Sequence, residues 1–207
     1  MKIYTKTGDK GITSLYTGER KSKGEPIFEI LGGLDEINSS IGLAVNSCNP
    51  YRCERVIIFL TTLQNILLDI GAYVGSNFER VDKFNFNIVE ELEKEIDDME
   101  KSLEPLRTFI LPGGSASACF LHQCRVITRR CERVLVSSLP EEKVIKFVNR
   151  LSDYFFVAAR YVNHREYVED IKWNQPVNLK KSKTLMIFEN IYILFNFIFI
   201  ALIFYLY

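Results

Sequence analysis

Apolar residues recur along most of this chain at the three- and four-residue steps that line one side of an α-helix. Leu34, Ile37, Ile41 and Ala44 form one such stripe, and Leu60, Leu63, Leu67 and Ile70 a second. Val89, Leu92, Ile96, Met99 and Leu103 form a third, with acidic residues between them. Glu104-Pro105 and Pro112-Gly113-Gly114 then break regular structure, because proline offers no N–H and glycine no conformational restraint. Ser115 stands where it can cap a fourth helix running to about Ser138. Pro140 stands where it can open a fifth, carrying Val144, Phe147, Leu151, Phe155, Ala158 and Val162. The pattern predicts an all-α, antiparallel bundle of about five helices. Strand signals are weak throughout, and residues 75–86, polar with scattered phenylalanines, read as an exposed loop.

Two stretches fall outside the pattern. Residues 3–20, IYTKTGDKGITSLYTGER, hold three glycines, four threonines and a serine. They read as an irregular but ordered N-terminal arm whose backbone N–H groups, hydroxyls and ammonium groups suit a phosphate. The spacing G-x-x-x-x-G-K-[ST] is absent, so the arm is not a Walker A loop. At the other end, Ile191–Tyr207 carries no charge, and extension back to Leu185 adds only Glu189. That run is slightly short of the roughly 20 residues that cross a bilayer. The chain therefore divides into a bundle domain, residues 1–180, and an apolar tail, residues 181–207, edged by Lys180, Lys181 and Lys183. Three readings stay open for the tail: a short membrane anchor, a core helix, or a misjoined end of the gene.

Charge narrows the functional classes. Lys plus Arg and Asp plus Glu number 26 each, so no global field attracts nucleic acid or an acidic surface. Five cysteines with no C-x-x-C fit a reduced, intracellular setting, and a zinc site lacks closely spaced ligand pairs, His122 and His164 being the only histidines. The N-terminus has neither an apolar leader nor an Arg/Ser-rich one, which points to the cytoplasm or, without an evident targeting sequence, the mitochondrion.

Candidate chemistry concentrates in Leu121–Arg133, LHQCRVITRRCER. Arg125, Arg129 and either Glu132 or Arg133 share one helix face, and four arginines within nine residues repel one another unless an anion lies among them. Arginine forks suit carboxylates and phosphates, although a solvated face is the plainer reading. Asn149 and Asp153 are neighbours on the last helix, and Asp35 on the first is a candidate carboxylate for one of the arginines.

The ordered set TKTGDKGITSLYTGER, GGLDEINSSIG, FILPGGS, CRVITRRCER and NRLSDYFFVAAR resembles the PduO-type ATP:cob(I)alamin adenosyltransferases over residues 3 to about 165. The resemblance implies a homotrimer of helical bundles with active sites between subunits. Its substrates are ATP, with Mg²⁺, and cobalamin, whose cobalt(I) attacks the ribose C5′ carbon and expels triphosphate. Thr5, Lys6, Thr7 and Gly8 match the loop that wraps the phosphates, with Thr13, Ser14 and Lys23 completing that side. Arg129, Arg130, Cys131, Glu132 and Arg133 match the helix that meets ATP, and Asn149 the asparagine that completes the nucleotide site. Asp35 and Arg125 match an ion pair across the subunit interface beside the corrinoid. Phe109 matches the aromatic residue that covers the lower corrin face and excludes the axial ligand. A cobalamin reductase and an adenosylcobalamin-dependent mutase are the partners implied. No resident metal ligands are expected. A non-catalytic nucleotide sensor or corrinoid carrier is the alternative, and it would have no use for Phe109.

Overall fold

The computed structural model describes residue 4, residues 6–79 and residues 87–173, and every element below lies in the unit Met1–Lys172. The boundary expected near residue 180 and the apolar tail lie outside the described residues. Five helices carry the fold: α1 (Pro26–Ser47), α2 (Glu54–Gly75), α3 (Ile88–Glu100), α4 (Ala116–Ser138) and α5 (Glu142–Arg165). The four stripes read from the sequence lie on the core-facing sides of α1, α2, α3 and α5, and α4 buries Ala118, Leu121, Ile127 and Leu135 in the same way.

Local chemistry sets the helix ends. Pro26 occupies the first turn of α1, where its missing N–H has no partner to lose. The Ser115 hydroxyl accepts the Ala118 N–H at 3.3 Å, a cap worth about 1 kcal/mol. Pro140 lies one residue before the cap Glu141 rather than inside α5, so the fifth helix starts later than expected. Leu103 likewise falls beyond the end of α3 and packs on the core from the following turn.

Hydrogen bonds fix the directions of packing. Cys131 on α4 sets its thiol 3.9 Å from the Ile30 carbonyl near the start of α1, so the two helices run antiparallel. They touch at Gly33, where a Cβ would stand 2.9 Å from the Cys131 sulfur; only glycine permits that approach. Along α5, Asn149 bonds Glu132 near the end of α4 and Asn163 bonds Ser115 at its start, again antiparallel. Asn38 and Gln64 each donate to the other's backbone carbonyl at 3.1 Å, tying α1 to α2. Arg150 reaches Glu93 at 2.9 Å, and Arg55 forks onto Glu95 and Asp98, so ion pairs bind α3 to α5 and α2. Tyr154 is fully buried at the centre, 5.1 Å from the Phe59 ring.

The weak strand signal concealed a small ribbon. β1 (Ile12–Ser14) pairs antiparallel with β2 (Arg20–Ser22), Thr13 facing Lys21. Three-residue strands are too short to show alternation above background. Leu15 is the arm's one buried residue among those described, and the Tyr16 N–H bonds the Gly75 carbonyl at 3.2 Å, fastening the arm to the end of α2. The expected loop after Gly75 is only partly exposed, since Ser76 is buried and Phe78 packs edge-on against Tyr73 at 5.3 Å. Residues 80–86 lie outside the described residues. By length and composition α2 could cross a membrane, yet its apolar stripe is spent on the bundle interior.

Candidate active site

Arg125, Arg129 and Arg133 occupy successive turns of α4, about 6 Å apart at 1.5 Å per residue. Two clefts run beside them. The first, about 310 Å³, lies between α3, α4 and α5 and is lined by Glu100, Arg125, Arg129, Asp153 and Phe156. The second, about 270 Å³, lies further along α4 and is lined by Arg129, Glu132, Arg133 and Val136. Arg129 is the wall common to both.

The first cleft is incomplete electrostatically. The Arg125 Nε is buried with no hydrogen-bond partner, and burial, then the charge of Arg129, lowers its pKa. An orphaned guanidinium N–H costs free energy until an acceptor reaches it. Asp35, the carboxylate expected to do so, is exposed on α1 and makes no ion pair with Arg125 within the protomer. One turn before Arg125, His122 is buried with neither ring nitrogen bonded, 6.2 Å from the Phe156 ring. Burial, then the Arg125 charge, lowers its pKa, so the ring is held neutral.

The second cleft is better built. The Asn149 amide donates to Glu132 Oε1 at 2.8 Å, and Arg133 donates to the Arg129 carbonyl at 3.1 Å. Arg129 and Arg133 thus line one cleft with a carboxylate whose orientation α5 fixes. Arg130 turns the other way and pairs with Glu36 of α1, a partner that spacing did not reveal because it comes from a different helix. Cys131 faces the α1 contact, and burial pushes its thiol up to about 11. The structure thus gathers Arg125, Arg129, Glu132, Arg133 and Asn149 along one side of α4, and sets Arg130, Cys131 and Asp35 apart from them.

In the arm, the Gly11 N–H bonds the Gly8 carbonyl at 3.1 Å and the Lys23 N–H bonds the Gly11 carbonyl at 2.8 Å. This turn lays the Lys23 ammonium over Gly8, 3.1 Å from where a Cβ would be. Arg20 secures the Thr7 carbonyl at 3.0 Å. Lys6, Thr7, Ser14 and Lys23 are exposed, and Thr13 is half-buried. Thr5 lies outside the described residues. The arm leads directly into the start of α1.

Phe109 stands at the opposite end, 82% exposed on the loop that enters α4. Sequence reading missed what holds that loop. Arg160, Asn163 and Asp170 were visible only as polar residues late in the chain, yet Arg160 and Asn163 are buried beneath it. No group of three His, Cys, Asp or Glu side chains among the described residues is arranged to hold a metal ion. The donor set here does not form a magnesium cage.

The family model described as cobalamin adenosyltransferase matches residues 3–162. A corrinoid adenosyltransferase of Bacillus subtilis (strain 168) is 42% identical over 181 residues, covering 84% of this chain and 93% of that protein. Human corrinoid adenosyltransferase MMAB is 39% identical over 179 residues, covering 80% of this chain and 70% of that protein. Among solved structures, a variant of the PduO-type ATP:corrinoid adenosyltransferase from Lactobacillus reuteri, complexed with cobalamin and ATP, is similar with a TM-score of 0.78 and 36% identity. It covers 84% of this chain and 97% of its own.

Proposed function

This chain belongs to the cobalamin adenosyltransferase family, and from that membership we propose how its residues carry the 5′-deoxyadenosyl group of ATP to cobalt(I) of a corrinoid. In the transfer, the cobalt(I) electron pair forms the Co–C5′ bond while the C5′–O bond breaks, and triphosphate departs with that bonding pair. No proton needs to move at carbon, so the protein's task is to align the two substrates and to stabilise charge on the leaving group.

The observation that carries this reading is the cleft of Arg129, Glu132 and Arg133 braced by Asn149. Its two guanidinium groups, that of Arg133 tied to the α4 backbone, suit the growing negative charge on the phosphates, and Lys6, Thr7, Gly8, Thr13, Ser14 and Lys23 of the arm supply N–H groups, hydroxyls and ammonium groups to the same triphosphate. Thr5 is assigned to that loop by resemblance. Magnesium, when bound with ATP, would be held chiefly by phosphate oxygens and would offset their charge. Arg125 and Phe109 face the corrinoid: Phe109 supplies an apolar wall against the lower axial ligand, which eases one-electron reduction of cobalt(II) to cobalt(I).

The working unit we propose is a homotrimer. The unbonded Arg125 Nε in one protomer and the exposed Asp35 of another are complementary, and pairing them would close the first cleft. A reductase that supplies the electron and a mutase that receives the product are the expected partners, in an intracellular setting. Residues 181–207 are assigned no part in the chemistry, so a chain ending at Lys183 keeps its activity per folded protomer. A truncated protein that assembles but binds neither ATP nor corrinoid would place the tail in the site.

The deciding experiment is an anaerobic assay with ATP, Mg²⁺ and cob(I)alamin. Adenosylcobalamin and triphosphate in equal amounts are the expected products. Release of ADP or AMP, or binding without turnover, overturns the reading.

A further inference from the structure

The loop bearing Phe109 lies largely at the surface. From Glu104 to Pro112 every residue except Ile110 is exposed, and a cavity of about 530 Å³ lies behind it, lined in part by Glu104, Leu106, Arg160, His164 and Asp170. Such a segment should wander, since ordering each residue costs about 1–2 kcal/mol of conformational entropy and little burial offsets it.

A continuous hydrogen-bonded chain fastens both of its ends instead. Arg160, buried on α5, donates to the Glu104 carbonyl at 2.7 Å where the loop begins, and to Asp170 Oδ2 at 3.0 Å. The other Asp170 oxygen accepts from the Asn163 amide at 3.1 Å. Asn163, 1% exposed, donates also to the Gly113 carbonyl at 3.2 Å and accepts the Ser115 N–H at 2.9 Å, where the loop ends. Gly114 makes this possible: its φ is +107°, and a Cβ would lie 2.3 Å from the Asn163 amide atoms. The segment after α5 adds one backbone bond, from the Leu111 N–H to the Ile171 carbonyl at 2.7 Å.

We propose that Arg160, Asp170 and Asn163 are positioning residues for the reaction, a buried polar clamp that sets the height of Phe109 against the corrinoid. The clamp touches neither substrate. Asp170 is its keystone, because both carboxylate oxygens are used and its charge compensates a guanidinium only 8% exposed. This inference rests on the role proposed for Phe109.

The test reads the coordination of bound cob(II)alamin, by electronic absorption and electron paramagnetic resonance, in the ATP-loaded protein. Asp170→Asn is compared with wild type and with Phe109→Ala, and Arg160→Lys serves as the second clamp variant should Asp170→Asn fail to fold, with thermal melting and ATP affinity as controls. The expected result is a several-fold loss of the four-coordinate fraction in the clamp variants, with slower turnover from cobalt(II) plus a one-electron reductant. ATP affinity and turnover from pre-reduced cob(I)alamin change far less. In a Phe109→Ala background, Asp170→Asn should remove no further four-coordinate signal. If the clamp variants fold and keep the wild-type fraction while Phe109→Ala loses it, the clamp is overturned and the reading of Phe109 stands. If Phe109→Ala itself keeps the fraction, the reading of Phe109 fails and the clamp loses its purpose.

Discussion

The N-terminal arm and the Phe109 loop are both irregular and both glycine-bearing, and they are held by opposite means. The arm is a three-residue ribbon with one buried leucine and one backbone bond to Gly75, and most of its polar side chains face solvent. The Phe109 loop has its two ends bolted to α5 by buried side chains. The contrast teaches which part of the site exists before substrate arrives. The loop ends and α4 are fixed by buried groups, whereas most of the arm's described side chains lie at the surface, so the arm is where a bound phosphate would change local order most.

The contrast can be broken most sharply by kinetics. Arg129→Ala, on the prebuilt side, is expected to lower kcat by about 10²–10³, the scale for deleting one fixed donor to developing charge. Lys23→Ala, on the arm, should act mainly on KM for ATP. Equal effects of both variants on kcat would erase the distinction between the two regions.

The next largest effect concerns closure of the first cleft. Arg125→Ala and Asp35→Asn should each impair corrinoid use and assembly, and a double-mutant cycle should show a coupling of about 0.5–3 kcal/mol. Losses that simply add would mean the two groups never meet.

Hydrogen exchange tests the contrast directly. Amides of Gly11, Leu15 and Lys23 should exchange far faster than those of Cys124 and Thr128 in mid-α4, and saturating ATP should slow the first set only. Arm amides already as protected as α4 in the free protein would show the arm to be prebuilt after all.

The smallest effect lies away from both regions, at Asp98, whose carboxyl is held down to about 2 by hydrogen bonds from Lys101 and Arg55. A carboxyl depressed in the folded state stabilises above its ordinary pKa of 3.8, and the contribution disappears as pH falls through about 2. Asp98→Asn should therefore lower the urea midpoint slightly at pH 7 and not at all below pH 2, with salt shrinking the difference because the group is only half-buried and still meets solvent. A deficit that persists in acid would have to come from another cause.

Much of the bundle was legible because burial of a helix stripe leaves a 3.6-residue period, and the four stripes read that way pack in the core. The row of arginines was legible for the same reason, three turns of one helix. What escaped notice depends on contacts between distant segments. Glu36 meets Arg130 across 94 residues, and Asn163 meets Gly113 across 50, so no local spacing announces either pair. The ribbon escaped for lack of length, and Pro140 misplaced the start of α5 because a proline beside a helix and one in its first turn look alike in sequence.

The three arginines of α4 also make the helix a measuring rod. Each residue of an α-helix turns the chain by about 100°, so one residue inserted between Arg125 and Arg129 would swing one of them a quarter-turn off the row while barely changing its height. Replacing a side chain here dims one contact; shifting the frame would scramble the order in which the two clefts are met. Descendants of this sequence are thus free to vary the letters of the rod's outer face, but not the number of letters between its marks.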